Sequence, residues 1–225
     1  MRRWDVAVLG LDGRAKGWIG VVLEADAVSL HHFTSVSRTL ELGGEFKVIA
    51  IDTTIDLLDS GPRRADALAR RNLPGRASTI FNAPLRACLG VQDYPAAQEI
   101  ARRLLGKGLL KGLLTQSFAL LAKIEEVDGF HLRVRCPVWE VHPKLSFAKI
   151  NGGRALAPKT TWSSAQRRAV LASVGIGFDD VDPVVGRIGA IHPRWTLPVD
   201  GWRSGCRQCS ARSRAPRDDT SVDER

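Results

Sequence analysis

Along the first third of the chain the apolar residues fall into short runs, not helical stripes. Residues 6–11, 18–23 and 28–33 are rich in Val, Ile and Leu. Turn-forming residues separate them, too few for intervening helices, so the pattern predicts an antiparallel meander. Residues 35–42 predict a short helix, and the wholly apolar 48–51 predicts a strand buried between helices. The period then changes. In "SGPRRADALARRNL", Ser60 as cap, Pro62 near the first helical position and arginines on an exposed face predict a helix. Apolar spacing of three and four predicts helices over 94–105 and 116–127. Residues 138–141 predict a further strand, "PKLSFAKI" a short helix, "NGGRALAP" a loop, and 163–173 a last amphipathic helix. Strands first, then helices interleaved with strands, imply a mixed α/β sheet, and its antiparallel opening excludes a Rossmann arrangement.

Past about residue 180 both periods lapse. Lysine disappears, Leu197 is the only leucine, and Arg, Pro, Gly, Ser, Trp and Cys crowd in. The expected organisation is one domain over 1–178 and an atypical tail over 179–225. The tail's composition is that of a GC-rich gene read in the wrong frame; a disordered basic tail is the alternative. Cys206 and Cys209 in "CRQC" have zinc-like spacing but lack the second half of a four-ligand site.

Composition narrows the class. At 225 residues and 44% hydrophobic, the chain can bury a core. No apolar run approaches the roughly 20 residues of a membrane-spanning helix, and the first residues do not read as a secretion signal, so a cytoplasmic protein is expected. Four cysteines make no disulfide framework at this length and fit a reducing compartment, with Cys88 and Cys136 as plain buried or strand-edge thiols. A net charge of +9 favours an anionic partner such as nucleic acid, although solvated arginines would give the same total.

The candidate chemistry lies at strand ends. "VLGLDG" closes on Asp12 and "VIAIDTT" on Asp52. On neighbouring strands the two acids would emerge at one sheet edge. Two carboxylates about 4 Å apart repel by roughly 4 kcal/mol at an effective dielectric near 20. A shared proton, a lysine or arginine, or a divalent cation could offset this, and hard oxygen ligands suit Mg²⁺ or Mn²⁺. Glu140 in "VWEVHP" ends a later strand, with His142 two residues on. Each residue also has a plain structural reading. Asp12 can be a turn former, Asp52 a charge paired inside an apolar strand, and Glu140 with His142 a satisfied core pair.

These residues resemble a bacterial and archaeal family of predicted nucleases with an RNase H-like fold, domain of unknown function 429. The resemblance rests on "GLDGRAKGW", "IAIDTTIDLLDSGPRRADALARR", "STIFNAPLRA", "GKGLLKGLLTQSFALLAKIEEVD" and "WEVHPKLSFAKINGGRAL", and covers roughly the first 175 residues. It implies a mixed five-stranded sheet that opens with an antiparallel three-strand meander and carries helices on both faces. It also implies that Asp12 and Asp52 fall on the first and fourth strands, where such enzymes hold metal, and that Glu140 and His142 form the family's Glu-x-His-Pro motif. The chain departs from the pattern where the family has proline and glycine, at Thr54 and Asp56, and where it has an acid, at Lys144. It also lacks the acidic, alanine-rich C-terminal helix.

The expected function is a metal-dependent nuclease that hydrolyses nucleic-acid phosphodiesters, and the departures would leave this copy inactive if they disable the site. Asp12, Asp52 and Glu140 would hold Mg²⁺ or Mn²⁺, and His142 would orient water or shuttle a proton. Arg63, Arg64 and Lys144 would contact substrate phosphates. The alternatives are a phosphotransferase of the actin-like fold and a non-catalytic nucleic-acid-binding module.

Overall fold

In the computed structural model, residues 4–25, 27–43, 45–105, 112–157 and 161–177 are described. Among the described residues five strands form one sheet: β1 (Trp4–Arg14), β2 (Gly17–Ala25), β3 (Ala27–Phe33), β4 (Val48–Ile51) and β5 (Val138–Glu140). Their order is β3-β2-β1-β4-β5. β1 and β2, and β2 and β3, pair antiparallel, whereas β4 runs parallel to both β1 and β5. This is the mixed sheet and opening meander expected from the sequence, and it is consistent with an RNase H-like arrangement.

Strand alternation sorts the side chains onto two faces. On the first face Leu9, Leu11, Trp18, Phe33, Ile49 and Ile51 pack against Val36 and against Val127 and Phe130 of a long helix, forming the largest core cluster. On the second, Leu23 packs with Phe147, Leu171 and Ile176. Helices therefore cover both faces. Two glycines let the meander close. A Cβ on Gly17, at φ +126°, would lie 2.1 Å from the carbonyl oxygen of Phe33, and one on Gly20 would lie 2.6 Å from the Phe33 ring. Only a residue without Cβ allows the third strand so close.

The helices are α1 (Arg64–Arg71), α2 (Tyr94–Leu105), α3 (Thr115–Phe118), α4 (Leu121–His131), α5 (Pro143–Ile150) and α6 (Thr161–Ala172). Residues Val36–Leu42 form a 3-10 helix ended by Gly43 at φ +66°. Three expectations shift. The helix after Ser60 starts only at Arg64, because Arg63 is extended at φ −70°, ψ 131°. The single helix expected over 116–127 is two, α3 and α4, which meet around Ala119 and Leu120. β5 stops at Glu140, one residue short of the expected end.

α1 docks on α5 through a small cluster of Leu73, Ile80 and Ala148, with Ala69 and Leu145 against it. Ala97 and Ala101 of α2 pack on Leu85, Cys88 and Leu121. Cys88 is fully buried and Cys136 half-buried, and burial pushes both thiols up from their ordinary value. No described helix is long and apolar enough to cross a membrane. The tail from residue 179, with Cys206 and Cys209, and the "GKGLLK" segment from Gly106 lie outside the described residues.

Candidate active site at the strand edge

The carboxyl ends of β1, β4 and β5 open at one edge of the sheet, where open α/β sheets place their ligand crevices. Leu11 pairs with Ile51 in the parallel β1–β4 register, and the Asp52 amide donates to the Leu11 carbonyl at 3.0 Å. Asp12 and Asp52 are thus the next step of the same ladder, on backbones about 4.8 Å apart. Leu11 and Ile51 face the main core, so alternation turns Asp12 to the second face, with its cross-strand partner Ile19. Continued one residue past β4, the same alternation carries Asp52 to that side. The backbone thus sets the two strand-end acids side by side at this edge.

Glu140 is placed differently. It pairs with Ile51 and shares a face with Val138, which packs on the first-face core. Its carboxylate meets Arg63, whose Nη2 donates to Oε2 at 2.5 Å and Nη1 to Oε1 at 3.4 Å. The Ile55 amide donates to Oε2 at 3.2 Å. Arg63 Nη1 also reaches Asp66 Oδ1 at 3.4 Å, and Asp66 Oδ2 accepts from the Ala83 amide at 2.8 Å. The side chain of Arg63 is 9% exposed and that of Glu140 30%. Burial pushes the Glu140 carboxyl above its ordinary value; Arg63 and the Ile55 amide pull against this, and the nearby charge of Asp66 adds to it. For Arg63 burial works against the charge, but Glu140, Asp66 and Asp56 outweigh it and hold the guanidinium above its ordinary value.

The expected cluster of three acids is accordingly not assembled. Among the described residues no group of three His, Cys, Asp or Glu side chains is placed to hold a metal ion. Glu140 lies across the sheet from Asp12 and is engaged by Arg63. The guanidinium of Arg63, expected to grip substrate, is engaged by two carboxylates, whereas Arg64 is exposed.

His142 caps α5, with Pro143 at the first helical position, and its Nδ1 accepts from the Lys144 amide at 3.3 Å. In the neutral ring this leaves the proton on Nε2 and makes that nitrogen a donor. The N-terminus of α5, just past β5, brings backbone amides and the positive end of the helix dipole to the same edge. Lys144 is in that first turn.

Three residues that the sequence reading passed over, Asp66, Asn82 and Ser117, tie this edge to the rest of the molecule together with Arg70, expected on the exposed helix face. Asp66 is buried and joins α1 to the loop before Leu85. Arg70 donates from Nε to the Ile80 carbonyl at 3.1 Å and from Nη2 to the Asn82 side chain. Ser117 donates to the Asn82 carbonyl at 3.0 Å. The available signal was the lone acid in an arginine-rich helix: Asp66 is the only acid in "PRRADALARR", and an acid at the first turn of a helix among arginines is placed to organise them.

A family described as a protein of unknown function (DUF429) matches residues 10–218. No curated protein and no solved structure matches the chain.

Proposed function

The chain belongs to the DUF429 family, and from that premise and the acids at its sheet edge we propose that it is a cytoplasmic metal-dependent nuclease acting on phosphodiesters. The observation that carries the reading is the parallel β1–β4 register, which ends at Leu11 and Ile51 and continues in the bond from the Asp52 amide to the Leu11 carbonyl, so that Asp12 and Asp52 follow side by side. Two carboxylates so placed repel unless a proton, a basic side chain or a metal ion offsets their charge, and a metal ion is the offset that would also supply chemistry. An all-protein cage needs more ligands than this edge supplies. Mg²⁺ does not, because it keeps several waters and is held by one or two carboxylates with substrate phosphates. The donor set of Asp12 and Asp52 fits that mode. Bound there, the ion would lower the pKa of a water and neutralise charge on the scissile phosphate.

The chain's own residues divide the remaining work. Asp12 and Asp52 hold the cation. Glu140, fixed by Arg63 and the Ile55 amide, sets the conformation of the loop after Asp52 from beneath the sheet. His142, with Nδ1 accepting from the Lys144 amide, presents Nε2–H to orient water or to donate to an oxygen of the phosphate. The amides at the start of α5, with Lys144 and Arg64, face the anionic substrate.

Mg²⁺ or Mn²⁺ should raise the melting temperature of the wild type and leave that of Asp12→Asn unmoved. Cleavage of labelled nucleic acid should fall at least about 100-fold in Asp12→Asn and in Asp52→Asn. A metal-induced shift that persists in both variants would remove the basis of the reading. The engagement of Glu140 by Arg63 favours a second reading, a non-catalytic nucleic-acid-binding module. Its signature is salt-sensitive binding, indifferent to chelator and without cleavage.

A further inference from the structure

Phe81 breaks the pattern around it. The residue is 41% exposed, while its neighbour Ile80 is buried and Asn82 half-buried. The loop that presents it is firmly held. The Arg70 guanidinium bonds the residues on either side, at the Ile80 carbonyl (3.1 Å) and the Asn82 side chain. Ser117 holds the Asn82 carbonyl at 3.0 Å, and Asp66 holds the Ala83 amide at 2.8 Å. An aromatic ring in solvent on an anchored loop has little conformational freedom left to lose on binding. Phe81 makes no ring stacking or cation–π contact among the described residues.

The surroundings of the ring point to one class of partner. Residues 62–87 contain Arg63, Arg64, Arg70, Arg71, Arg76 and Arg86 against the single acid Asp66, a net +5. Arg64 and Arg71 are exposed and Arg76 half-buried, and none of the three makes a side-chain hydrogen bond or ion pair among the described residues. Asp66, which anchors the Phe81 loop, also takes Arg63, and Arg63 takes Glu140, the sheet neighbour of Ile51. Three side-chain hydrogen bonds, Ala83 to Asp66, Arg63 to Asp66 and Arg63 to Glu140, thus run from the ring's loop to the end of β5, beside the end of β4 that precedes Asp52.

We propose that Phe81 is a stacking platform for an unpaired base, so that the substrate engaged at this edge is single-stranded nucleic acid. Every base has a π-face, and stacking on an aromatic side chain with cations along the backbone is the sequence-tolerant mode of single-strand binding. Bases in a duplex are already stacked and would not reach the ring. The inference rests on the nucleic-acid reading above, but on none of its metal chemistry.

The test uses the full chain in EDTA, which stops cleavage, with labelled oligothymidylate and oligouridylate of about 16 nucleotides and a matching abasic strand with the same phosphates. Phe81→Ala should weaken binding of the base-bearing strands about tenfold, leave the abasic strand unchanged and keep the melting temperature. Phe81→Trp should restore binding. Loss on either the DNA or the RNA strand supports the platform and tells which sugar the site takes. Wild-type-like binding by Phe81→Ala, or an equal loss on the abasic strand, overturns it, as does a wild type that binds none of the strands. The two proposals fail separately. Phe81-dependent binding without a metal response would sink only the metal site. Asp12-dependent cleavage with a KM indifferent to Phe81→Ala would sink only the platform.

Discussion

Asp56 adopts φ +56° in the loop between the paired acids and α1. A left-handed conformation costs an L-residue about 1–2 kcal/mol, somewhat less for Asp, whereas glycine is at ease there. Glycine also gains unfolded-chain entropy worth about 0.4–1 kcal/mol, which works against the exchange. Relief of strain outweighs that entropy, so Asp56→Gly should raise stability by about 0.5 kcal/mol in urea unfolding. Asp56→Asn, which tolerates the same backbone but removes the charge, isolates the electrostatic part. Arg63 is the converse case. Arg63→Met leaves Glu140 partly buried without its cation and should cost about 3 kcal/mol at neutral pH. Glu140 is raised in the folded state, so its contribution is fully present below the ordinary value of 4.5 and is lost as pH rises through the folded value. Without Arg63 that loss deepens. The variant should therefore regain stability toward wild type as the medium is acidified, and Arg63→Met with Glu140→Gln should regain most of it at neutral pH.

At the scale of elements, Glu126 fastens three of them. Its Oε2 accepts from the indole of Trp18 in β2 at 2.7 Å and from the Val36 amide at 3.2 Å, and its Oε1 accepts from Lys123 one turn earlier in α4 at 2.7 Å. Lys123 also lies 4.8 Å from the centre of the Trp18 ring. Burial alone would raise the Glu126 carboxyl, but these donors outweigh it and hold the group below its ordinary value. Its contribution is present above 4.5 and lost as pH falls through the folded value. Acid unfolding followed by tryptophan fluorescence should therefore be less steep in Glu126→Gln, which starts less stable at neutral pH. The Trp18–Glu126 contact spans 108 residues, and such distances separate what the sequence disclosed from what it did not. The bounds of α2 and α5 follow from local signals: spacing of three and four in one, Pro143 at the first position in the other. The start of α1 does not. Ser60 and Pro62 are good local signals, but Arg63 is held extended by Glu140, 77 residues away. The break between α3 and α4 falls beside Ser117, whose hydroxyl reaches Asn82, 35 residues back. The site divides in the same way. Asp12 and Asp52 could be paired from strand pattern alone, because each closes an apolar run. That Glu140 faces the other side depends on a register between β4 and β5 that no local pattern specifies.

For the whole molecule the deciding quantity is where the charge sits. Of the 33 basic and 24 acidic residues, the segment from Phe178 to Arg225 holds 8 of each, so the +9 belongs entirely to the residues before it. The net +5 of residues 62–87 is more than half of that excess, and the segment carries the arginines nearest Phe81 in sequence. A diffuse basic surface would attract any polyanion and lose little when a few cations are removed. A local one makes countable phosphate contacts, each releasing counterions and adding about 0.7 to the slope of log affinity against log salt for a single strand. Replacing Arg64, Arg71 and Arg76 together by glutamine should therefore flatten that slope by about 2 if all three meet phosphates. Replacing Arg212, Arg214 and Arg217 by glutamine removes the same charge from the balanced segment and should leave the slope nearly unchanged. Titration of a single strand into each protein across a salt series measures both. Equal flattening by the two triple variants would mean that the field of the whole chain, and not this segment, draws the polyanion. The arginine segment would then lose its claim as the binding face.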